Sequence, residues 1–258
     1  MQTGLLPAQR SALAATLLMA LACRAQALPV DLRVLTDDLT GPGGLAVELQ
    51  GSQALSRAGA AGDGATARQA LLELSTGLAP QWELSLQLPA TREAGTWRGT
   101  GANLELTFVA PHDEDDGGYL GWRAELGRAR PSDEPAAWAW EWRPILGWRE
   151  GSWHGVLNLG FSANASGSDT RVRFEPAGKL AWQLARPLAL GLEAFVDGGP
   201  VSRLLPRRER SEIALVVADG QFGACNLTLG VGKGFAGAAE GRVLKVLLSY
   251  AMEGSARP

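Results

Sequence analysis

Two histidines, His112 and His154, and two cysteines, Cys23 and Cys225, are the chain's whole stock of imidazole bases and thiols. A serine–histidine hydrolase needs a nucleophile within hydrogen-bond reach of the ring. Val156, not serine, stands two residues beyond His154, on the same side of an extended chain, and His112 lies in an acidic stretch far along the sequence. His154 and its neighbour Asn158 therefore read as polar-face residues, and no catalytic residue is expected. Gly232-Lys233-Gly234-Phe235-Ala236-Gly237 matches the phosphate-cradling pattern G-x-G-x-x-G, which works only when it opens a helix inside a βαβ unit. Too little chain follows Gly237 for such a unit, so the stretch reads as a glycine-rich loop. Asp113-Glu114-Asp115-Asp116 reads as a solvated turn, and two histidines with so few thiols leave no expected metal site and no cofactor. Arg203, Arg207, Arg208 and Arg210 share one connection, where they would suit lipopolysaccharide phosphates if that loop faces a membrane surface.

The remaining charged residues do not cluster. They recur at every second position, opposed by large apolar residues, and that spacing is the signature of strands with two different faces. In Trp82-Glu83-Leu84-Ser85-Leu86-Gln87-Leu88 the Trp and Leu residues share one face and the polar residues the other. Leu104, Leu106 and Phe108 oppose Asn103, Glu105 and Thr107; Leu120, Trp122 and Leu126 oppose Arg123 and Glu125; Trp138, Trp140 and Trp142 oppose Glu141 and Arg143. Leu157, Leu159 and Phe161, then Leu180, Trp182 and Leu184, then Leu188, Leu190 and Leu192 continue the apolar series. Ile213, Leu215 and Val217, then Leu227 and Leu229, and finally Leu244, Val246, Leu248 and Tyr250 complete it. With weaker candidates at 44–52 and 67–75 the pattern predicts twelve strands, joined by connections that are mostly long at one end and short at the other.

Turn spacing gives a register. A two-residue turn at Glu150-Gly151 places Trp148 opposite Trp153, Trp142 opposite Leu159 and Trp140 opposite Phe161. A three-residue turn at Ala185-Arg186-Pro187 places Trp182 opposite Leu190, Leu180 opposite Leu192 and Lys179 opposite Glu193. Pro144 and Pro176 fall inside strands, where each removes a ladder donor, and a bulge is expected at Pro144.

The N-terminus carries Arg10, an apolar run Ser11–Cys23 and the small-residue site Ala25-Gln26-Ala27, which together predict a secretory signal peptide over 1–27 with Leu28 as the first mature residue. Acylation of Cys23 is the less favoured route. The net charge of −3 gives no bulk positive field for nucleic acid, so no nucleic-acid partner is expected. Export, an even strand number and strands near the 9–11 residues of a tilted bilayer crossing favour a membrane barrel over a soluble sandwich. The predicted fold is all-β: a transmembrane antiparallel up-and-down barrel of about twelve strands after a signal peptide. Residues 28–43 are assigned to an N-terminal periplasmic segment, 44–252 to the outer-membrane barrel and 253–258 to a C-terminal tail. Trp82, Trp122, Trp138, Trp140, Trp142, Phe161, Trp182 and Tyr250 should meet lipid. Glu83, Glu105, Arg123, Glu125, Glu141, Arg143, His154, Asn158, Arg173, Glu175, Lys179, Glu193 and Lys245, with Glu73, should face the lumen. A near balance of acids and bases there predicts a narrow, weakly cation-preferring pore or a structural barrel, not an enzyme. The expected partners are outer-membrane lipids, lipopolysaccharide among them, and the assembly machinery, with the chain acting as a monomer. The different-class alternative is a secreted or periplasmic soluble β-sandwich or barrel that binds a ligand.

Trp140-Glu141-Trp142-Arg143-Pro144-Ile145-Leu146-Gly147, the Trp-containing hairpin after it, and Phe174-Glu175-Pro176-Ala177-Gly178-Lys179 resemble a group of Gram-negative outer-membrane, transporter-like barrel proteins, akin to the barrel associated with meta-pathway phenol degradation. The likeness extends loosely over residues 70 to 252. It implies an outer-membrane barrel of about twelve strands and carries no catalytic or ligand residues. The chain departs from that pattern at its end, where Tyr250 is followed by Ala251–Pro258 in place of a terminal aromatic.

Overall fold

Alternation of apolar and polar residues over ten or more positions favours extended chain, because only period two keeps each class on its own face. The structure, a computed structural model, describes residues 31–56, 68–93, 95–113, 115–129, 137–166, 170–236 and 241–252. The predicted signal peptide 1–27 with Cys23, and also Glu114 and the tail 253–258, lie outside the described residues. The strands are β1 (Leu45–Ser56), β2 (Arg68–Ala79), β3 (Trp82–Glu93), β4 (Thr96–Gly99), β5 (Gly101–Val109), β6 (Gly117–Ala129), β7 (Ala137–Glu150), β8 (Trp153–Asn164), β9 (Arg173–Ala185), β10 (Leu188–Asp197), β11 (Ser211–Phe222), β12 (Cys225–Ala236) and β13 (Gly241–Met252). Apart from β4 and β5, which both pair with β3, each strand pairs antiparallel with its neighbours in sequence, and β1 pairs with β13, so the sheet closes on itself. β4 and β5 are two stretches of one stave along β3, offset by a single residue at Thr100. The result is a closed antiparallel barrel of twelve staves.

Registers correct several expectations. The β7–β8 turn is Gly151-Ser152, with Gly151 at φ +57°, so Glu150 pairs with Trp153, Trp142 with Phe161 and Trp140 with Ala163. That differs by two residues from the spacing read from Glu150-Gly151, and a positive φ suits glycine as the first residue of the tight turn. At the β9–β10 turn Ala185 pairs with Leu188, leaving Arg186-Pro187 as the turn, and an irregularity between Leu188 and Ala189 restores the expected pairs of Trp182 with Leu190 and Lys179 with Glu193. Pro144 produces no bulge. Its ladder with β6 is continuous, whereas the ladder with β8 lapses at Arg143 and Pro144 and resumes in the same register. Pro176 pairs with Leu159 in the unbroken β8–β9 ladder and sits one position beyond the last β9–β10 pair. Gly232 to Phe235, read as loop, belong to β12.

The faces are inverted relative to a water-soluble protein. Outward residues are large and apolar, with Leu120 60% and Leu192 59% exposed, whereas Glu105, Glu193 and Lys245 are buried at 1–3%. β11 departs from the expected orientation: Ile213, Leu215 and Val217 are buried inside, and Val216 faces out. Both faces of this strand are apolar, so alternation could not assign them. Inside, these residues form one cluster with Leu32, Phe195 and Val243. A second cluster joins Leu35 to Val109, Tyr119, Ile145 and Val156.

Candidate functional site in the barrel lumen

Both interior clusters contain a residue from before β1, because residues 31–43 run through the lumen. The segment is held at successive heights by ties that strands far away in sequence supply.

Deepest is Arg33, itself buried. Its Nη1 donates to Glu48 Oε1 at 3.0 Å and to the Glu73 carboxylate, its Nε and backbone N–H donate to Asp31 Oδ1 at 2.9 Å each, and Nη2 lies 3.9 Å from Glu105 Oε1. The Glu73 carboxylate is fixed by Gln87 Nε2 and Ser75 Oγ, each at 3.0 Å. Next, the Asn158 side-chain amide pairs with the Leu35 backbone, accepting from its N–H at 2.7 Å and donating to its carbonyl at 3.0 Å. A buried backbone unit in a lumen needs such partners, and the amide stands in for a neighbouring strand.

Nearer the short turns, Asp37 takes two bonds from the Arg149 guanidinium, one of them Nη2 to Oδ1 at 2.6 Å, and a third from His112 Nε2 at 2.7 Å. His112 Nδ1 lies 2.9 Å from the Ala110 carbonyl, which can only accept, so both ring nitrogens face acceptors. Burial disfavours the imidazolium, but these two bonds outweigh it and raise His112 above its ordinary value. Burial likewise disfavours the Asp37 carboxylate, and the bonds from Arg149 and His112 outweigh it and hold Asp37 below its ordinary range. Last, the Thr40 N–H donates to Glu83 Oε2 at 2.7 Å, and Gly43 N–H to the Gly77 carbonyl at 2.8 Å. Gly77 is required here: a Cβ would overlap the backbone oxygens of Thr40 and Gly41.

The other residues expected in the lumen lie as follows. Arg123 meets Glu105 at 2.8 Å and Arg143 meets Glu141 at 2.5 Å. Glu105, Glu125 and Glu141 lie in register on β5, β6 and β7. Glu175 accepts from Ser162 at 2.8 Å, and Arg173 pairs with Asp197 at 2.5 Å. Lys179 reaches Glu193 at 3.4 Å and Asp219 at 2.8 Å, while Lys245 reaches Glu193 at 2.6 Å. His154 Nε2 lies 2.8 Å from the Tyr119 hydroxyl. Outside, Trp82, Phe108 and Trp122 form an aromatic group, Trp142 stacks on Phe161 and Trp182 on Trp153, with centroids 6.1 Å apart in both stacks. Trp138, Trp140 and Tyr250 also point outward and are exposed.

Arg33, Asp37, Glu48, Arg149 and Asp219 were not among the residues singled out from sequence. The one signal that could have prompted a search for a further cation is the slight excess of acids, seven against five bases, on the positions expected inside. The segment does not fill the lumen. A cavity of about 820 Å³ remains, bounded by Arg33–Thr40 on one side and by Lys179, Glu193, Asp219, Thr228 and Lys245 on the other. It extends to the short-turn end at Gly151, Arg186 and Gln221.

Solved structures of outer-membrane proteins share this fold. An outer-membrane channel from Pseudomonas putida F1 matches with a TM-score of 0.57 at 15% identity, over 85% of this chain and 99% of that one. The NanC porin matches with a TM-score of 0.53 at 10% identity, over 79% and 98%. No family model and no curated protein matches the chain.

Proposed function

We propose that the chain is an outer-membrane channel for small solutes, kept narrow by residues 31–43 lodged in its lumen. The observation that carries this reading is the inverted barrel itself: an apolar exterior around a charged interior is stable only where lipid surrounds the staves. Aromatic residues support it, since Trp82, Trp148, Trp153, Trp182 and Tyr250 stand near the short-turn ends of their strands, where an indole N–H can reach headgroups while its ring meets acyl chains. A soluble binding protein would have to hold that belt in water. Among the described residues the His154 ring nitrogen is engaged by the Tyr119 hydroxyl, and the reading proposed here is non-enzymatic. Lipids, the assembly machinery and a monomeric state belong to the same proposal, as does kinship with the barrel of phenol degradation.

Planar-bilayer recording on the purified, refolded full-length protein tests it. Small, weakly cation-preferring conductance is expected, and Asp37→Asn should raise the open probability. Electrical silence in both proteins would sink the channel reading and leave a structural barrel.

A further inference from the structure

We infer that the carboxylate wall around Arg33 is the channel's solute site, and that its ligand class is an organic cation bearing a guanidinium or primary ammonium group. This rests on the channel reading. Arg33 is then a built-in occupant of a site the staves make by themselves. Glu48 and Glu73 are direct cross-strand neighbours on β1 and β2. Like charges placed opposite one another repel, and a buried carboxylate without a counter-charge is costly. Among the described ion pairs, the only basic partner of either is Arg33, whereas Glu105 also has Arg123 from its own wall. The site is shaped for N–H donors and not for charge alone. Gln87 and Ser75 orient the Glu73 carboxylate, and Ser75 is itself bonded to Ser85 at 2.9 Å, so the acceptors are held from β2 and β3 whether or not residue 33 is present.

The staves carry Glu48, Glu73, Glu83, Glu105, Glu125 and Glu141 on β1 to β7, against Arg123, Arg143 and Arg149, the last engaged by Asp37. Withdrawal of Arg33 therefore leaves a net negative wall with two adjacent carboxylates unpaired. The cavity beside the segment runs from this wall to the short-turn end and gives a soluble cation a route to it.

Calorimetry on the refolded full-length protein in detergent, with agmatine as probe and tetramethylammonium as the donor-free control, reads the site independently of conduction. Agmatine should bind Arg33→Gln about tenfold or more tightly than wild type, because the internal occupant no longer competes. Asp37→Asn, which loosens the segment away from the site, should shift affinity the same way and serves if Arg33→Gln folds poorly. Arg33→Lys should stay near wild type, and adding Glu73→Gln to Asp37→Asn should abolish the gain. Agmatine binding no tighter than tetramethylammonium, or unaffected by Glu73→Gln, would overturn the inference. Binding without any conductance would instead reject the channel reading while keeping the site, and conductance without binding would do the reverse.

Discussion

Replacing Asp37 by Asn removes the charge at the point where the lumen segment is latched near the short-turn end. The Asp37 side chain is 4% exposed and accepts three bonds, two from Arg149 and one from His112. Hydrogen bonds to charged groups contribute about 1.5–3 kcal/mol each, and their losses overlap when one acceptor is changed. Arg149 is partly in contact with water and recovers some hydration when released. A net cost of about 2–4 kcal/mol follows for the seated state. That corresponds to a shift of about 30- to 1,000-fold in the equilibrium between seated and released segment. Hydrogen-exchange mass spectrometry reads this directly, because the Leu35 and Thr40 amides are protected only by Asn158 and Glu83 across the lumen. Both should exchange faster in Asp37→Asn while the strand amides keep their protection. The pH dependence has a definite sign. His112, raised above about 6.5, strengthens the latch fully below that pH and loses its contribution as pH rises through the raised value. Asp37, held below about 3.9, contributes fully above that pH and loses its contribution as pH falls through the lowered value. Protection should therefore be greatest between about pH 4 and 6.5. Equal exchange in the two proteins, or protection that rises steadily from pH 6 to 9, would refute the latch.

Three other substitutions probe different parts of the structure. Trp140→Arg places a charge on the outward face and should cost about 2–4 kcal/mol near the bilayer midplane in urea titrations of vesicle-inserted protein, whereas Glu141→Gln should cost far less. Lys245→Met leaves buried Glu193 with only the longer contact to Lys179, and a loss of about 3 kcal/mol is expected in the same titration, with no loss if water already compensates the pair. Gly77→Ala forces a methyl into the backbone oxygens of Thr40 and Gly41, so it should cost about 1–3 kcal/mol and speed protease cleavage near residue 40; unchanged cleavage would mean the turn into β1 is not tightly seated.

The sequence by itself determined the class of fold, the strand number and, for most staves, which residues point inward. Period two is a local property, and Trp82–Leu88 or Trp138–Arg143 displays it without reference to anything distant. Period two also limits what can be read. A register slip of two residues leaves every face unchanged, so Trp142 opposite Leu159 and Trp142 opposite Phe161 look equally good until Gly151 adopts its positive φ. β11, apolar on both faces, offers no alternation, and only packing against Leu32 and Phe195 decides that Ile213, Leu215 and Val217 turn inward. The lumen segment is the extreme case. Its partners lie 40 residues away at Glu73, 112 at Arg149 and 123 at Asn158, and no local pattern links them. An interior exists only after β1 has paired with β13, and the tertiary structure alone places Arg33 among the carboxylates that the alternating strands had left short of a cation.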